Sequence, residues 1–240
     1  DSTTLANGSH IVTAISRDLA ENTRRAPPVV IKNNNSATAG ITYYIASGVD
    51  ANGSPTSVVG NDANDGLSPT QIAPGQGPWQ TLTNINSHMQ TGATFRFRRR
   101  DAFTGFIRLG NARNITFSSY YNPNGSDDPS QPRPKITHTG GEKVFSNSCV
   151  GTCVPPNNWN LLIENLHLFN PYPASGGGGI GIGSPMINNN AQSPYTIGTY
   201  TVRNMEIHGG NVAFILSGGG RFILEDSILH DTWNSTSYVG

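Results

Sequence analysis

The chain has 240 residues, a formal charge of zero and only 12% charged residues. That composition excludes the clustered basic face a nucleic-acid partner requires, and no apolar run is long enough to span a bilayer as a helix. Gly, Asn, Ser, Thr and Pro are abundant, as a turn-dense β protein needs.

Residues 1–40 differ from the rest. Ile11-Val-Thr-Ala-Ile-Ser16 reads as a strand, or continues through Arg17-Asp-Leu-Ala-Glu-Asn22 as a short helix. Arg24 to Ile31 then leads into the polar run from Lys32 to Thr38. The segment is too short and polar for a core of its own. It is expected to be an extended arm, packed on its own domain or on another copy. No signal-peptide pattern opens the chain, so Asp1 is expected to begin a processed form.

Residues 41–240 are expected to form one all-β domain, with irregular insertions near 48–60, 146–158 and 171–195. Ile41-Thr-Tyr-Tyr-Ile45 opens it as a strand. Asp62, Asn64 and Asp65 fit a turn better than a calcium loop, whose spacing and terminal Glu are absent. In Phe95-Arg-Phe-Arg98 the alternation predicts buried phenylalanines and outward arginines. Cys149 and Cys153 are the only cysteines. They read as a small structural disulfide rather than a redox motif, which has two intervening residues. Gly176, Gly178 and Gly181 match a G-x-G-x-x-G spacing, but no strand precedes and no helix follows, so nucleotide binding is rejected.

One pattern then appears three times: Leu161-Leu-Ile-Glu-Asn-Leu-His-Leu-Phe169, Tyr200-Thr-Val-Arg-Asn-Met-Glu-Ile-His208 and Phe222-Ile-Leu-Glu-Asp-Ser-Ile-Leu-His230. Apolar residues at the first and third positions share one strand face. Asn165, Asn204 and Asp226 follow a charged residue and suit a left-handed corner. Alternation then resumes, with Leu168, Ile207 and Leu229 apolar. One copy has no way to bury its apolar face alone, but stacked copies do. The pattern therefore predicts a parallel β-helix with Asn165, Asn204 and Asp226 as a corner ladder. A sandwich would give no reason to repeat the polar corner in register.

The order Ile41-Thr-Tyr-Tyr-Ile45, Gly60-Asn-Asp-Ala-Asn-Asp-Gly-Leu-Ser-Pro69, Pro78-Trp-Gln-Thr-Leu82, Gly92-Ala-Thr-Phe-Arg-Phe97 and Arg98-Arg-Arg-Asp-Ala-Phe-Thr-Gly105 resembles the opening of secreted right-handed parallel β-helix proteins, the pectate-lyase-like superfamily. The resemblance spans residues 41–233. It implies that fold, a core position for Trp79, and either a carbohydrate-active enzyme or one of the family's non-catalytic members. Two positions depart from it: Ala93 replaces an acid, and Arg100 replaces a turn glycine.

A glycosidase would need paired carboxylates, and a lyase a base and a cation beside a uronate carboxylate. Glu164 and Glu225 flank Arg203 and read as surface support. Arg203, Glu206 and His208 lie near one corner, with His230 one coil away. They form the one acid/base/cation group the sequence offers, and a polar surface ladder explains them as well. No metal or cofactor is expected. Acceptor patterns for N-glycosylation begin at Asn7, Asn34, Asn52, Asn114, Asn124 and Asn234.

Residues 231–240 offer no evident cap for the last coil, so the solenoid end is expected to be open. Two functions follow as expectations. The first is an extracellular or cell-surface structural or adhesive protein, non-catalytic, self-assembling end to end into filaments, and glycosylated or glycan-binding. The second is a polysaccharide lyase or glycoside hydrolase.

Overall fold

The structure, a computed structural model, describes residues 8–12, 15–17, 23–27, 29–33, 40–109, 112–137, 144–147, 159–171, 187–190, 198–209, 214–217 and 221–230. The chain divides into two compact units, Asp1–Ala39 and Gly40–Gly240.

In the first unit the described residues pair as two antiparallel ladders, in keeping with the strand expected within Ile11–Ser16 and not with the helix. Strand β1 (Gly8–Val12) pairs with β4 (Val29–Asn33), and β2 (Ile15–Arg17) pairs with β3 (Thr23–Arg25). The two ladders are offset by one residue: the first runs from Gly8 opposite Asn33 to Val12 opposite Val29, and the second from Ile15 opposite Arg25 to Arg17 opposite Thr23. β-branched residues at 11, 12 and 29–31 favour extended backbone. Pairing within the segment gives these strands hydrogen-bond partners without a second copy.

The second unit is nearly all β, and its sheets are parallel. Strand β5 (Thr42–Ile45) is followed by the single short helix among the described residues, α1 (Thr83–Ser87). Five passes of the chain come next. Their strands are β6 (Thr94–Arg98), β7 (Ala102–Thr104) and β8 (Ile107–Arg108); β9 (Ile115–Tyr120), β10 (Lys135–Thr137) and β11 (Phe145–Asn147); β12 (Trp159–Glu164), β13 (His167–Asn170) and β14 (Ile187–Asn190); β15 (Gly198–Arg203), β16 (Glu206–Gly209) and β17 (Phe214–Ser217); and β18 (Arg221–Glu225) with β19 (Ile228–His230).

The first four passes each place one strand in each of three sheets, in the same cyclic order, and the last places β18 and β19 in two of them. The sheets run β5-β6-β9-β12-β15-β18, β7-β10-β13-β16-β19 and β8-β11-β14-β17. The third sheet is a finding. Sequence reading recognised two strands per repeat and took residues 146–158 and 171–195 as irregular, yet β11 reaches into the first stretch and β14 lies inside the second. Ile187-Asn-Asn-Asn190 has no apolar alternation to announce a strand, and its partners are supplied by β11 and β17.

The three copies of the pattern pair in the expected register, with Leu161 beside Tyr200 and Tyr200 beside Phe222. Asn165, Asn204 and Asp226 stand at φ of 62°, 50° and 47°. That is the left-handed region, which short polar side chains enter more readily than others. The Asn204 side-chain amide donates to Asn165 Oδ1, and the Asn204 N–H donates to the Glu225 carbonyl at 3.0 Å. The corner is thereby hydrogen-bonded from one coil to the next.

The core is a column of inward side chains. Ile163, Leu166, Leu168, Met205 and Ile207 are all fully buried, as are Phe95, Phe97, Phe117 and Phe145. Phe95 stacks on Phe117 at 5.4 Å, and Phe117 meets Phe145 edge-on at 4.9 Å. Each such side chain contributes about 1.5–3 kcal/mol by leaving water.

The first coil is sealed by residues 44–86. Trp79 is buried and stacks on Tyr43 at 4.6 Å, while its indole N–H donates to the Asn64 carbonyl at 2.8 Å. Asp65 acts in a turn, as expected, while Asp62 ties its loop to residues 80 and 81. Asp62 Oδ1 accepts the N–H groups of Gln80 and Thr81, and Asp65 Oδ1 accepts that of Leu67. Gly66 has φ of 75°, and a Cβ there would lie 2.5 Å from the Trp79 ring, so only glycine closes this turn.

Arg98 keeps the outward direction expected of it, yet it and the adjoining Arg99 are buried. Arg98 is 4% and Arg99 2% exposed. Arg98 does point away from the apolar column, but the loop at residues 47–57 folds over it. Its Nη1 donates to Asp101 Oδ1 at 3.2 Å and its Nη2 to Ser57 Oγ at 2.8 Å. Arg99 grips Asp127 with two bonds of 2.6 and 2.9 Å. Arg100, which stands where the resembling family has glycine, holds φ of 70°. The turn conformation survives without the residue that favours it.

Candidate functional site

The outer face of the five-stranded sheet carries the densest chemistry among the described residues. Because side chains alternate along each strand, two rows point outward on either side of the buried row Phe103, Ile136, Leu168 and Ile207. One row reads Ala102, Lys135, His167, Glu206, Ile228, and the other Thr104, Thr137, Phe169, His208, His230. Strands in register about 4.8 Å apart bring each row into contact.

The second row is a ring stack. His208 lies on His230 at 4.4 Å with planes 20° apart, and Phe169 tilts against His208 at 4.9 Å. The Lys135 ammonium sits 4.1 Å over the Phe169 ring, a cation–π contact.

Glu206 is the hub of the first row. Its Oε1 is 3.3 Å from His230 Nε2 and 3.6 Å from His167 Nε2, and its Oε2 is 3.9 Å from Arg133 Nη1. Arg133 is fixed from the other side by bonds to the Asn204 carbonyl at 2.9 Å and Asn204 Oδ1 at 2.5 Å. The His167 Nε2 atom is sealed from water, and its 3.6 Å approach to Glu206 is too long for a hydrogen bond. Burial pushes the His167 ring down to about 4, and Lys135, His208 and His230 add to this against the pull of Glu206. His167 is therefore neutral at ordinary pH.

Of the four sequence-predicted residues, Glu206, His208 and His230 come together here and Arg203 does not. Arg203 lies before the Asn204 corner, on the six-stranded sheet, where its Nε donates to Glu164 Oε2 at 2.7 Å. The corner turns the chain between residues 203 and 206, so nearness in sequence is not nearness in space. The structure adds Arg133, Lys135, His167 and Phe169. His167 and Phe169 stand at the same repeat positions as Glu206 and His208, a signal already present in the aligned copies. Arg133 and Lys135 lie before the three aligned copies, so no repeat position marked their side chains.

Asn52, Asn114 and Asn124 are exposed. Asn114 Oδ1 accepts a bond from Asn160 at 3.2 Å. Asn7, Asn34, Asn234, Cys149 and Cys153 lie outside the described residues. Among the described residues no group of three or more His, Cys, Asp or Glu side chains is arranged to hold a metal ion, and no helix is long and apolar enough to cross a membrane. A small cleft lined by Leu109, Ala112, Ile115, Asn160 and Leu161 holds no titratable group. The chain matches no family model, no curated protein and no solved structure.

Proposed function

We propose that residues 40–240 form a right-handed parallel β-helix of the pectate-lyase-like kind, and that the protein is an extracellular, non-catalytic one that binds polysaccharide along the outer face of its five-stranded sheet. The cyclic visiting of three parallel sheets supports the fold, and the strong preference of parallel crossovers for one hand supports its handedness. The observation that carries the function is the outward pair of rows. Phe169, His208 and His230, stacked on one another, present a continuous ridge of ring edges for apolar contact with a sugar chain, and Lys135, Arg133 and Glu206 stand beside them to bond hydroxyls and carboxylates. The open, shallow face fits a chain lying across the strands rather than a small molecule in a pocket.

Calorimetric titration with uronate-containing and neutral polysaccharides tests the proposal. Binding that weakens at least tenfold in Phe169→Ala supports it, and equal affinity of the two proteins sinks it. The Glu206–His230 contact favours a second reading, a polysaccharide lyase or hydrolase, with Glu206 and His230 exchanging protons with a bound sugar. Release of shortened or unsaturated sugars, lost in Glu206→Gln with binding intact, would establish it.

A further inference from the structure

The tripeptide Asn-Gly-Ser begins at Asn7, Asn52 and Asn124, and Asn7 lies outside the described residues. In such a sequence the glycine nitrogen can attack the asparagine side-chain amide, because glycine has no Cβ to obstruct the approach. The fold treats the two described copies differently. Asn52 and Gly53 are both exposed, in the turn closed by the bridge between Val49 and Pro55. Asn52 N–H donates to Asp50 Oδ1 at 2.8 Å, and among the described residues the Asn52 side chain makes no hydrogen bond. Gly53 N–H donates to the Asp50 carbonyl at 3.0 Å, and a Cβ on Gly53 would meet nothing within 4 Å. Asn124 is held instead. Its Oδ1 accepts the Ser126 N–H at 3.0 Å, and Gly125 N–H donates to the Asn122 carbonyl at 2.8 Å. Gly125 is buried, a Cβ there would lie 2.5 Å from the Tyr44 hydroxyl, and its carbonyl accepts Arg96 Nη1.

We propose that Asn52 is a site of spontaneous deamidation and isoaspartate formation, selected by the fold over the identical tripeptide at Asn124. The Gly53 nitrogen gives its proton to hydroxide and bonds to Asn52 Cγ. The Cγ–Nδ2 bond breaks, and the side-chain nitrogen leaves as ammonia. Water then opens the resulting succinimide at either ring carbonyl. One opening leaves aspartate, and the other leaves an isoaspartyl link that carries the main chain through the former side chain. Water is consumed, ammonia is released and no electrons are transferred. At Asn124 the same attack must first free Oδ1 from Ser126 and turn a peptide pinned by Arg96. Losing two ordinary hydrogen bonds on the way to the transition state slows a reaction by about tenfold or more. The change at Asn52 acts on the loop at residues 47–57, whose Gly48, Thr56 and Ser57 cover Asp101 and Arg98. Asp50 Oδ1 accepts the N–H groups of both Asn52 and Ser54. A new carboxylate two residues from Asp50 opposes that turn, and the added main-chain carbon of isoaspartate breaks its spacing. The product also lacks the Asn-Gly-Ser acceptor pattern, so deamidation and glycosylation at this position exclude one another.

The test uses the 240-residue chain, produced without N-glycosylation and held warm at mildly alkaline pH. Peptide mapping by mass spectrometry follows conversion at each asparagine, and labelling by an isoaspartyl methyltransferase identifies the product. In the folded chain Asn52 is expected to convert at least tenfold faster than Asn124. In guanidinium the two sites are expected to convert at similar rates, because the tripeptide is the same. Asn52→Gln, whose longer side chain closes the ring far more slowly, is expected to keep its Tm through an incubation that lowers that of the wild type. A folded-state ratio below tenfold overturns the proposal. So does a ratio in guanidinium as large as in the folded chain, which would place the selectivity in local sequence. A Tm that does not part the two proteins overturns the consequence for the loop.

Discussion

Replacing Asp101 by Ala removes a buried carboxylate that ties three segments together. Asp101 is fully buried; its Oδ2 accepts the Gly48 N–H at 3.2 Å and its Oδ1 accepts Thr56 Oγ1 at 2.8 Å and Arg98 Nη1 at 3.2 Å. The largest loss is the charge partner of Arg98, since breaking a buried pair from one side costs about 3–5 kcal/mol. The Gly48 N–H and Thr56 hydroxyl lose their acceptor as well, at about 1–3 kcal/mol for each group left unsatisfied. These terms overlap, because the 47–57 loop will lift and admit water. The expected loss is therefore about 4 kcal/mol, near the top of the single-residue range. For a unit of this size that lowers Tm by about 8–16 °C. Guanidinium titration followed by tryptophan fluorescence measures it, since buried Trp79 reports on the first coil. Replacing the pair together, Arg98→Met with Asp101→Ala, is expected to recover more than half of the loss, because no unpaired charge remains. A single-variant loss under 1 kcal/mol, or a double variant worse than the single, would refute the reasoning.

Three further outcomes follow. Arg100→Gly is expected to stabilise the protein by about 0.5–1 kcal/mol, since the left-handed strain of about 1–2 kcal/mol exceeds the entropy that glycine adds to the unfolded chain; chemical denaturation reads the sign. Phe117→Ala, in the centre of the ring column, is expected to cost about 3–5 kcal/mol by the same measurement. The pH dependence follows from His167, whose folded value near 4 lies below the unfolded 6.5. The unfolded chain then takes up the proton first, so this contribution is complete above about pH 6.5 and fades as pH falls toward 4. Discounted for partial exposure it amounts to about 1–2 kcal/mol. His167→Gln is expected to flatten that stretch of the stability curve, and a slope unchanged by the substitution would contradict it.

What the sequence disclosed was what repeats locally. Leu161, Tyr200 and Phe222 were aligned correctly because their own neighbours carry both signals, alternation and a polar corner. Asn165, Asn204 and Asp226 were legible as corners because few residues accept positive φ. The third sheet was not legible, because β8, β11 and β14 are short and take their order from parallel neighbours far away in sequence. The antiparallel pairing in the first unit was missed for a similar reason: β1 and β4 pair across about twenty residues, and nothing local specifies that partnership. Arg98 shows a different limit. Alternation placed it correctly on the outer side of its strand, but a loop covers that side, and no periodicity encodes loop coverage.

The candidate site divides the same way. Glu206, His208 and His230 were foreseen because they occupy repeat positions, and Arg203 was grouped with them only by nearness in the chain. Asn204 separates them physically, sending Arg203 to one sheet and Glu206 to the next. Lys135 and Arg133 join the face from an earlier coil through parallel pairing of β10 with β13. Their contribution is a product of the stacking and belongs to no single segment.

The most direct test of the account is calorimetric binding of the full chain to a panel of uronate and neutral polysaccharides, beside Phe169→Ala and His208→Ala. The account predicts saturable binding, weakened at least tenfold by either substitution while the unfolding midpoint stays within a few degrees of the parent. Absence of binding across the panel, or binding untouched by both substitutions, would contradict a glycan face on the five-stranded sheet.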